Sequence, residues 1–287
     1  MQRKFIRWVM ILSENFRVEY IGNDTVITGA CFDAALCLDC GQAFRWKCDE
    51  QRIWRGVAHK KLLEVYQDGD SVVLKNTDKY EFEEIWHGYF DLQRDYKTLC
   101  ESFCEDESLG TAVNFCPGIR VLRQEPWETL CSFIISQNNN IPRIKGIIER
   151  LCELLGEEIC DGVYSFPEPQ AIVKAGVEGL APIRSGFRAK YIYDAACKVV
   201  SGEIDFEKIA SLDLEQAQQE LMKIKGVGPK VASCVLLYGF ARADSFPVDV
   251  WVKRIMQELY PDGLPECVKG NEGIAQQYLF HWRRTAF

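Results

Sequence analysis

A lysine, an aspartate and a glycine-rich turn carry the clearest chemistry in this chain. The residues run Leu221-Met222-Lys223-Ile224-Lys225-Gly226-Val227-Gly228-Pro229-Lys230-Val231-Ala232-Ser233-Cys234, and later Phe246-Pro247-Val248-Asp249-Val250. Gly226 and Gly228 can take positive φ without steric cost, which suits a tight turn with outward-facing amides. Pro229 fits the first turn of a following helix, where no N–H is needed. The turn should therefore join two short helices and offer a nest of amides, an anion site fit for a DNA phosphate. Lys230, at the start of the second helix, sits near the positive end of a helix dipole. That position lowers the pKa of an ammonium and favours the neutral amine a nucleophile needs. Asp249 opens the next helix, where a carboxylate is held ionised. The same aspartate is also a good helix cap, and the same turn could serve only to grip a nucleic-acid backbone.

The elements that must position these groups divide the chain in two. Val18 to Ile21, Thr25 to Thr28, Phe44 to Lys47, Ile53 to Val57, Lys61 to Tyr66 and Val72 to Leu74 are strand candidates. Gly22-Asn23-Asp24 and Asp68-Gly69-Asp70 punctuate them as turns. This predicts an antiparallel sheet with one wet face. From about Tyr80 the apolar spacing becomes helical, through Phe82, Ile85, Trp86, Tyr89, Leu92, Tyr96, Leu99 and Phe103. Helices are further expected from Pro126, over Ile144 to Leu155, over Leu214 to Met222, over Val231 to Tyr238 and over Val250 to Leu259. The expected class is α+β, a β-rich part over 1–116 and a helical part over 117–287.

Length and composition are those of an ordinary globular protein, 287 residues with 47% hydrophobic and 26% charged. The net charge of −8 counts against a generic nucleic-acid binder, so affinity for DNA must come from local patches. Arg184, Arg188, Lys190 and Lys198 against Asp194 offer one, and Lys223, Lys225 and Lys230 another. Thirteen cysteines in a chain this long point to free thiols in a reducing cytoplasm. Met1 to Leu12 is basic and then apolar, but its uncharged apolar run covers only Trp8 to Leu12 and no small-residue cleavage site follows, so a signal peptide is not expected. No apolar run approaches a membrane span. Cys37, Cys40 and Cys48 come closest to zinc spacing, yet no further pair completes four ligands. Neither a metal nor a cofactor is expected.

Five motifs in order then carry a resemblance. They are Gly41-Gln42-Ala43-Phe44-Arg45-Trp46; Gly118-Ile119-Arg120 leading to Phe133-Ile-Ile-Ser-Gln-Asn138-Asn139-Asn140-Ile-Pro-Arg143; Ser185-Gly186-Phe187-Arg188-Ala189-Lys190-Tyr191; the Lys230/Asp249 turn; and Gly273-Ile-Ala-Gln276-Gln-Tyr-Leu-Phe280. Together they resemble the 8-oxoguanine DNA glycosylase/AP lyase family of the helix-hairpin-helix superfamily. The resemblance implies a TATA-binding-protein-like β domain followed by an all-α helix-hairpin-helix domain. It implies a monomer acting on damaged double-stranded DNA, in the nucleoid of a bacterium or the nucleus of a eukaryote.

By that resemblance the lesion is flipped out of the duplex and read in a pocket. The Gly41 carbonyl would test N7–H, a donor in 8-oxoguanine where guanine has an acceptor. Gln276 would pair with the Watson–Crick edge, and Phe280 and Cys234 would sandwich the base. Lys230 would attack C1′ and form a Schiff base, with Asp249 stabilising the cationic sugar. Asn138 would fill the vacated stack, Arg143 and Arg188 would read the orphaned cytosine, and Phe187 would wedge between bases. Gly226 and Gly228 would hold a phosphate. Trp251 departs from the family, standing where many members have a phosphate-contacting histidine. Arg283 stands where many have an acid that touches the base, so ring-opened purines are also possible substrates.

Three other readings compete. A relative acting on oxidised pyrimidines would be expected to show a cysteine cluster after Asp249, where only Cys267 occurs. An alkyl-base glycosylase would not need Lys230. A damage-binding module without activity would need neither Lys230 nor Asp249.

Overall fold

The computed structural model describes residues 8–13 and 16–286. Seven strands form one antiparallel sheet: β1 (Trp8–Ser13), β2 (Phe16–Ile21), β3 (Asp24–Thr28), β4 (Trp46–Cys48), β5 (Trp54–Ala58), β6 (Lys61–Asp68) and β7 (Ser71–Lys75). Their spatial order is β1-β2-β3-β7-β6-β5-β4. Gly22-Asn23 and Gly69-Asp70 are two-residue turns, with Ile21 opposite Asp24 and Asp68 opposite Ser71. Such short loops fix register, so Val18 and Ile27 face each other and Val65 faces Leu74 on the buried side. The helical stretch Lys79–Tyr89 lays Phe82, Trp86 and Tyr89 over that face, with a wider turn over Phe82–Trp86 in which the His87 amide donates to the Phe82 carbonyl. Of the basic and apolar start, residues 1–7 lie outside the described residues, and Trp8 onward pairs with β2.

The second core is helical. The helices Tyr96–Phe103 and Glu107–Phe115 contribute Phe103, Leu109 and Val113 to it, although they precede residue 117. Phe103 meets the Tyr278 ring of the last helix, Glu272–Ala286, edge-on at 6.3 Å. All thirteen cysteines are free thiols. Among the described residues no helix is long and apolar enough to cross a membrane. No group of three or more His, Cys, Asp or Glu side chains among them could hold a metal ion.

Two arginines stitch sheet to helices. Arg120 is fully buried and donates to the carbonyls of Phe90 (2.8 Å), Ala30 and Asp91 (2.7 Å), with its guanidinium carbon 4.1 Å from the Tyr96 ring centroid. Arg45 donates to the Tyr164 carbonyl and pairs with Glu128 at 3.4 Å. The strand expected from Phe44 starts only at Trp46. Phe44 instead turns into the helical core, 5.6 Å from the Phe133 ring, because packing there outweighs two more residues of strand.

Burial lifts the Glu128 carboxyl from 4.5 to about 7 despite the adjacent Arg45 charge. The folded protein therefore binds more protons than the unfolded chain between those values. This contribution is fully present below pH 4.5 and is lost as pH rises to 7, a change of about 3 kcal/mol. Thermal unfolding from pH 5 to 8 should show this slope in the wild type and lose it in Glu128→Gln. An unchanged slope in the variant would place the titration elsewhere.

Candidate active site

The turn at 223–228 joins the helices Leu214–Met222 and Pro229–Gly239. Gly226 has φ +79°, and a Cβ there would lie 2.3 Å from the Tyr191 ring, so both backbone and neighbour require glycine. Gly228 differs from expectation. Its backbone is extended (φ −102°, ψ −177°), and it caps the second helix with open space around it. The amides of Gly226 and Gly228 have no protein acceptor among the described residues, which leaves them free for an anion.

The basic patches are narrower than composition suggested. Lys198 pairs with Glu203 and donates to the Lys223 carbonyl, Lys223 pairs with Glu220, and Lys225 with Asp194. Arg188 is buried. Arg184 and Lys190 remain exposed, without a carboxylate partner among the described residues.

Lys230 occupies the first turn of its helix, half-buried, with Nζ 5.1 Å from the Phe133 ring centroid. One turn later Cys234 is buried. Desolvation raises its thiol pKa, Lys230 opposes that shift and Asp249 reinforces it. The three residues thus share one locality. Asp249 caps the helix Val250–Leu259, its Oδ1 accepting from the Val252 amide at 2.8 Å. Capping uses Oδ1, and Oδ2 has no hydrogen-bond partner among the described residues.

A continuous path leads from Lys230 to Gly41. Phe133 stacks on Tyr238 at 5.3 Å and 11°, the Tyr238 hydroxyl donates to Gln277 Oε1 at 2.6 Å, and Gln277 Nε2 donates to the Cys40 carbonyl at 3.4 Å. Gly41 has φ +89°. A Cβ built there would lie 3.4 Å from Arg284 Nη1 and 3.8 Å from Ile141 Cδ1, so conformation rather than crowding selects glycine. The next residue, Gln42, is fully buried. Its amide donates to the Cys37 and Arg120 carbonyls and accepts from the Leu122 amide, fixing the Gly41 turn to the 118–122 segment. Cys37 and Cys40 are also buried, and desolvation raises the Cys40 thiol to about 12, whereas Cys48 is exposed.

Across from Gly41, the helix Glu272–Ala286 carries Gln276 and Phe280. Gln276 is 5% exposed, and its Oε1 has no hydrogen-bond partner among the described residues. A buried acceptor left in this state costs about 1–3 kcal/mol, which a bound donor would recover. Phe280 is half-buried with the Arg284 guanidinium carbon 5.3 Å from its ring centroid. Arg283 turns away to pair with Glu258.

The remaining candidates lie on several segments. Asn138 is exposed at φ +48°, and Asn140 caps the helix Ile141–Leu155 by accepting from the Arg143 amide at 3.0 Å. Arg143 is exposed. Arg188 donates to the carbonyls of Gln137 (2.9 Å), Asn138 (2.9 Å) and Ser185 (3.2 Å), and its guanidinium carbon lies 4.5 Å from the Phe187 ring centroid. Burial lowers the Arg188 pKa, and the neighbouring Arg143 charge adds to that. Phe187 is 52% exposed. Trp251 is exposed beside Arg254, whose guanidinium carbon is 5.6 Å from its ring centroid, and Val248 and Val250 extend the same apolar lip around Asp249. Sequence reasoning passed over Gln42, a polar residue within an apolar run, and Arg284. The i, i+4, i+8 spacing of Gln276, Phe280 and Arg284 was the available signal for the latter.

The 8-oxoguanine DNA glycosylase N-terminal domain family matches residues 26–130, and the HhH-GPD superfamily of base excision DNA repair proteins matches 131–263. An N-glycosylase/DNA lyase from Saccharomyces cerevisiae is 34% identical over 78% of this chain and 67% of its own length. The structure of MBOgg1 in complex with a low-affinity DNA ligand superposes with a TM-score of 0.88 at 43% identity, covering 94% of this chain and 99% of that one. The 8-oxoguanine glycosylase/lyase of Clostridium acetobutylicum, solved with duplex DNA carrying cytosine opposite 8-oxoguanine, gives 0.85 at 35% identity and covers 99% of each chain.

Proposed function

The chain belongs to the 8-oxoguanine DNA N-glycosylase/lyase family, and from that premise we propose that it excises 8-oxoguanine from duplex DNA and then nicks the strand. The observation that carries the reading is the placement of Lys230 on the Phe133–Tyr238–Gln277 path that ends at the Gly41 turn. A flipped purine seated between Gly41 and Phe280 would put its sugar toward Lys230.

In that geometry the Lys230 amine attacks C1′ while the glycosidic bond breaks, and the departing purine keeps the bonding pair and takes up the proton that the attacking nitrogen loses. Asp249 stabilises the cationic character of the sugar. Ring opening yields the imine, loss of the C2′ proton follows, and β-elimination expels the 3′ phosphate. Gly41 accepts N7–H, and Gln276 Oε1 accepts from the Watson–Crick edge, ending its unpaired state. Cys234, a neutral thiol, and Phe280 supply the two faces. The free amides of Gly226 and Gly228 hold a backbone phosphate, and the lip bearing Trp251 lies along the same strand.

Opposite the lesion, Asn138 fills the stack and Phe187 wedges beside it. Arg143 is the exposed reader of the orphaned cytosine. Arg188 holds the loop with four hydrogen bonds to carbonyls and has one Nη1 hydrogen left for a base. Arg143→Ala should slow excision opposite cytosine by about tenfold and leave the other three opposing bases nearly unchanged. Equal losses against all four partners, in single-turnover assays, would contradict this role.

Residues up to 116 supply the Gly41 wall of the pocket, and 117–287 supply the nucleophile and the phosphate-binding turn. The protein works as a monomer wherever the genome lies, the nucleoid or the nucleus. Borohydride trapping on a duplex with one 8-oxoguanine opposite cytosine tests the reading. A covalent adduct with cleavage at the lesion supports it. An adduct on an abasic or oxidised-pyrimidine duplex, with none on 8-oxoguanine, would retain the chemistry and discard the pocket assignment.

A further inference from the structure

Arg284 lies within reach of both walls of the base pocket. Its Nη1 lies 3.4 Å from the position of a Gly41 Cβ, and its guanidinium carbon lies 5.3 Å from the Phe280 ring centroid. It shares a helix face with Gln276 and Phe280, at four-residue intervals. No carboxylate among the described residues pairs with it, whereas the adjacent Arg283 is paired with Glu258. Its charge reaches the groups on both sides, opposing the burial-driven rise of the Cys40 thiol and adding to the burial-driven fall of His281.

We infer that Arg284 is a lesion-binding residue, whose guanidinium donates to an exocyclic carbonyl oxygen of the flipped 8-oxoguanine. The inference rests on the pocket assignment above. In 8-oxoguanine the N7–H is flanked by O6 and O8, both acceptors. A donor beside Gly41, whose carbonyl accepts N7–H in the proposed pose, is within reach of one of them. The ring of Phe280 holds the guanidinium plane by cation–π contact, so the donor fork is oriented before the base arrives. Guanine shares O6 but lacks both N7–H and O8. Arg284 and Gly41 together would thus read two adjacent positions of the lesion edge.

The test compares wild type, Arg284→Met and Arg284→Lys on two substrates. One is a duplex with 8-oxoguanine opposite cytosine, followed by single-turnover excision. The other is the same duplex with a preformed abasic site, followed by strand nicking. Arg284→Met should excise about 10- to 100-fold more slowly, as expected for loss of a charge-assisted hydrogen bond to the base, while nicking at the abasic site stays within twofold. Arg284→Lys should recover part of the loss, since it keeps a charge without the planar fork. Unchanged excision in Arg284→Met would overturn the inference, and so would faster excision, which would mark the side chain as an obstruction only. Equal losses in excision and nicking would also overturn it, by assigning Arg284 to the fold. Failure of the wild type on 8-oxoguanine, with nicking intact, would strike the pocket reading itself and is seen separately.

Discussion

Lys230→Gln is expected to abolish borohydride trapping and to slow excision of 8-oxoguanine by at least about ten-thousand-fold, the scale of losing a covalent nucleophile. Glutamine keeps most of the length of the side chain and fills the space beside Phe133 and Cys234, while giving up the charge and its cation–π contact. The turn that would hold the phosphate is untouched, because its free amides belong to Gly226 and Gly228. Binding of the lesion duplex by the variant should therefore stay within a few-fold of wild type. That separation between binding and chemistry is the informative part. Residual excision within tenfold of wild type would mean that water, activated by Asp249, can attack C1′. A trapped adduct in the variant would mean that another amine is the nucleophile.

Arg120→Met is the second large effect, on stability. The guanidinium is fully buried and draws together the carbonyls of Ala30, Phe90 and Asp91 from two segments of chain. Methionine fills part of the volume but removes the donor from the buried Ala30 and Phe90 carbonyls and leaves the Asp91 carbonyl only the Arg94 amide. The expected loss is about 3–5 kcal/mol, read from the urea midpoint and slope. A loss under about 1 kcal/mol would show that the carbonyls find other donors. Because the Arg120 carbonyl itself accepts from Gln42, excision should suffer even at temperatures where the variant stays folded.

Much of this was legible in the chain because local chemistry and tertiary need agreed. Gly22-Asn23 and Gly69-Asp70 set two hairpins by themselves, and the Lys230 turn carries its own glycine and proline signals. What stayed hidden is what tertiary contact decides. The helix Arg188–Val200 begins with a residue whose charge suggests a solvated surface, yet packing makes Arg188 a buried strut. The strand at Trp8–Ser13 is a run of apolar residues too uniform to show period-two alternation. The lysines near the turn looked free in sequence, and their carboxylate partners arrive from Asp194, Glu203 and Glu220. The Gln42 network joins residues about eighty positions apart, which no window of sequence spans.

The hold of Arg188 on the Gln137 and Asn138 carbonyls bears on how the protein would travel along DNA. Asn138 sits at φ +48°, a conformation a free chain rarely visits, and the arginine's hydrogen bond to its carbonyl helps hold it there. The conformational entropy of that loop is thus surrendered when the protein folds, not when it meets its substrate. In the role proposed for it, Asn138 is a preorganised probe. Each base pair tested then asks for contact and release, with no reordering of the loop between one step and the next.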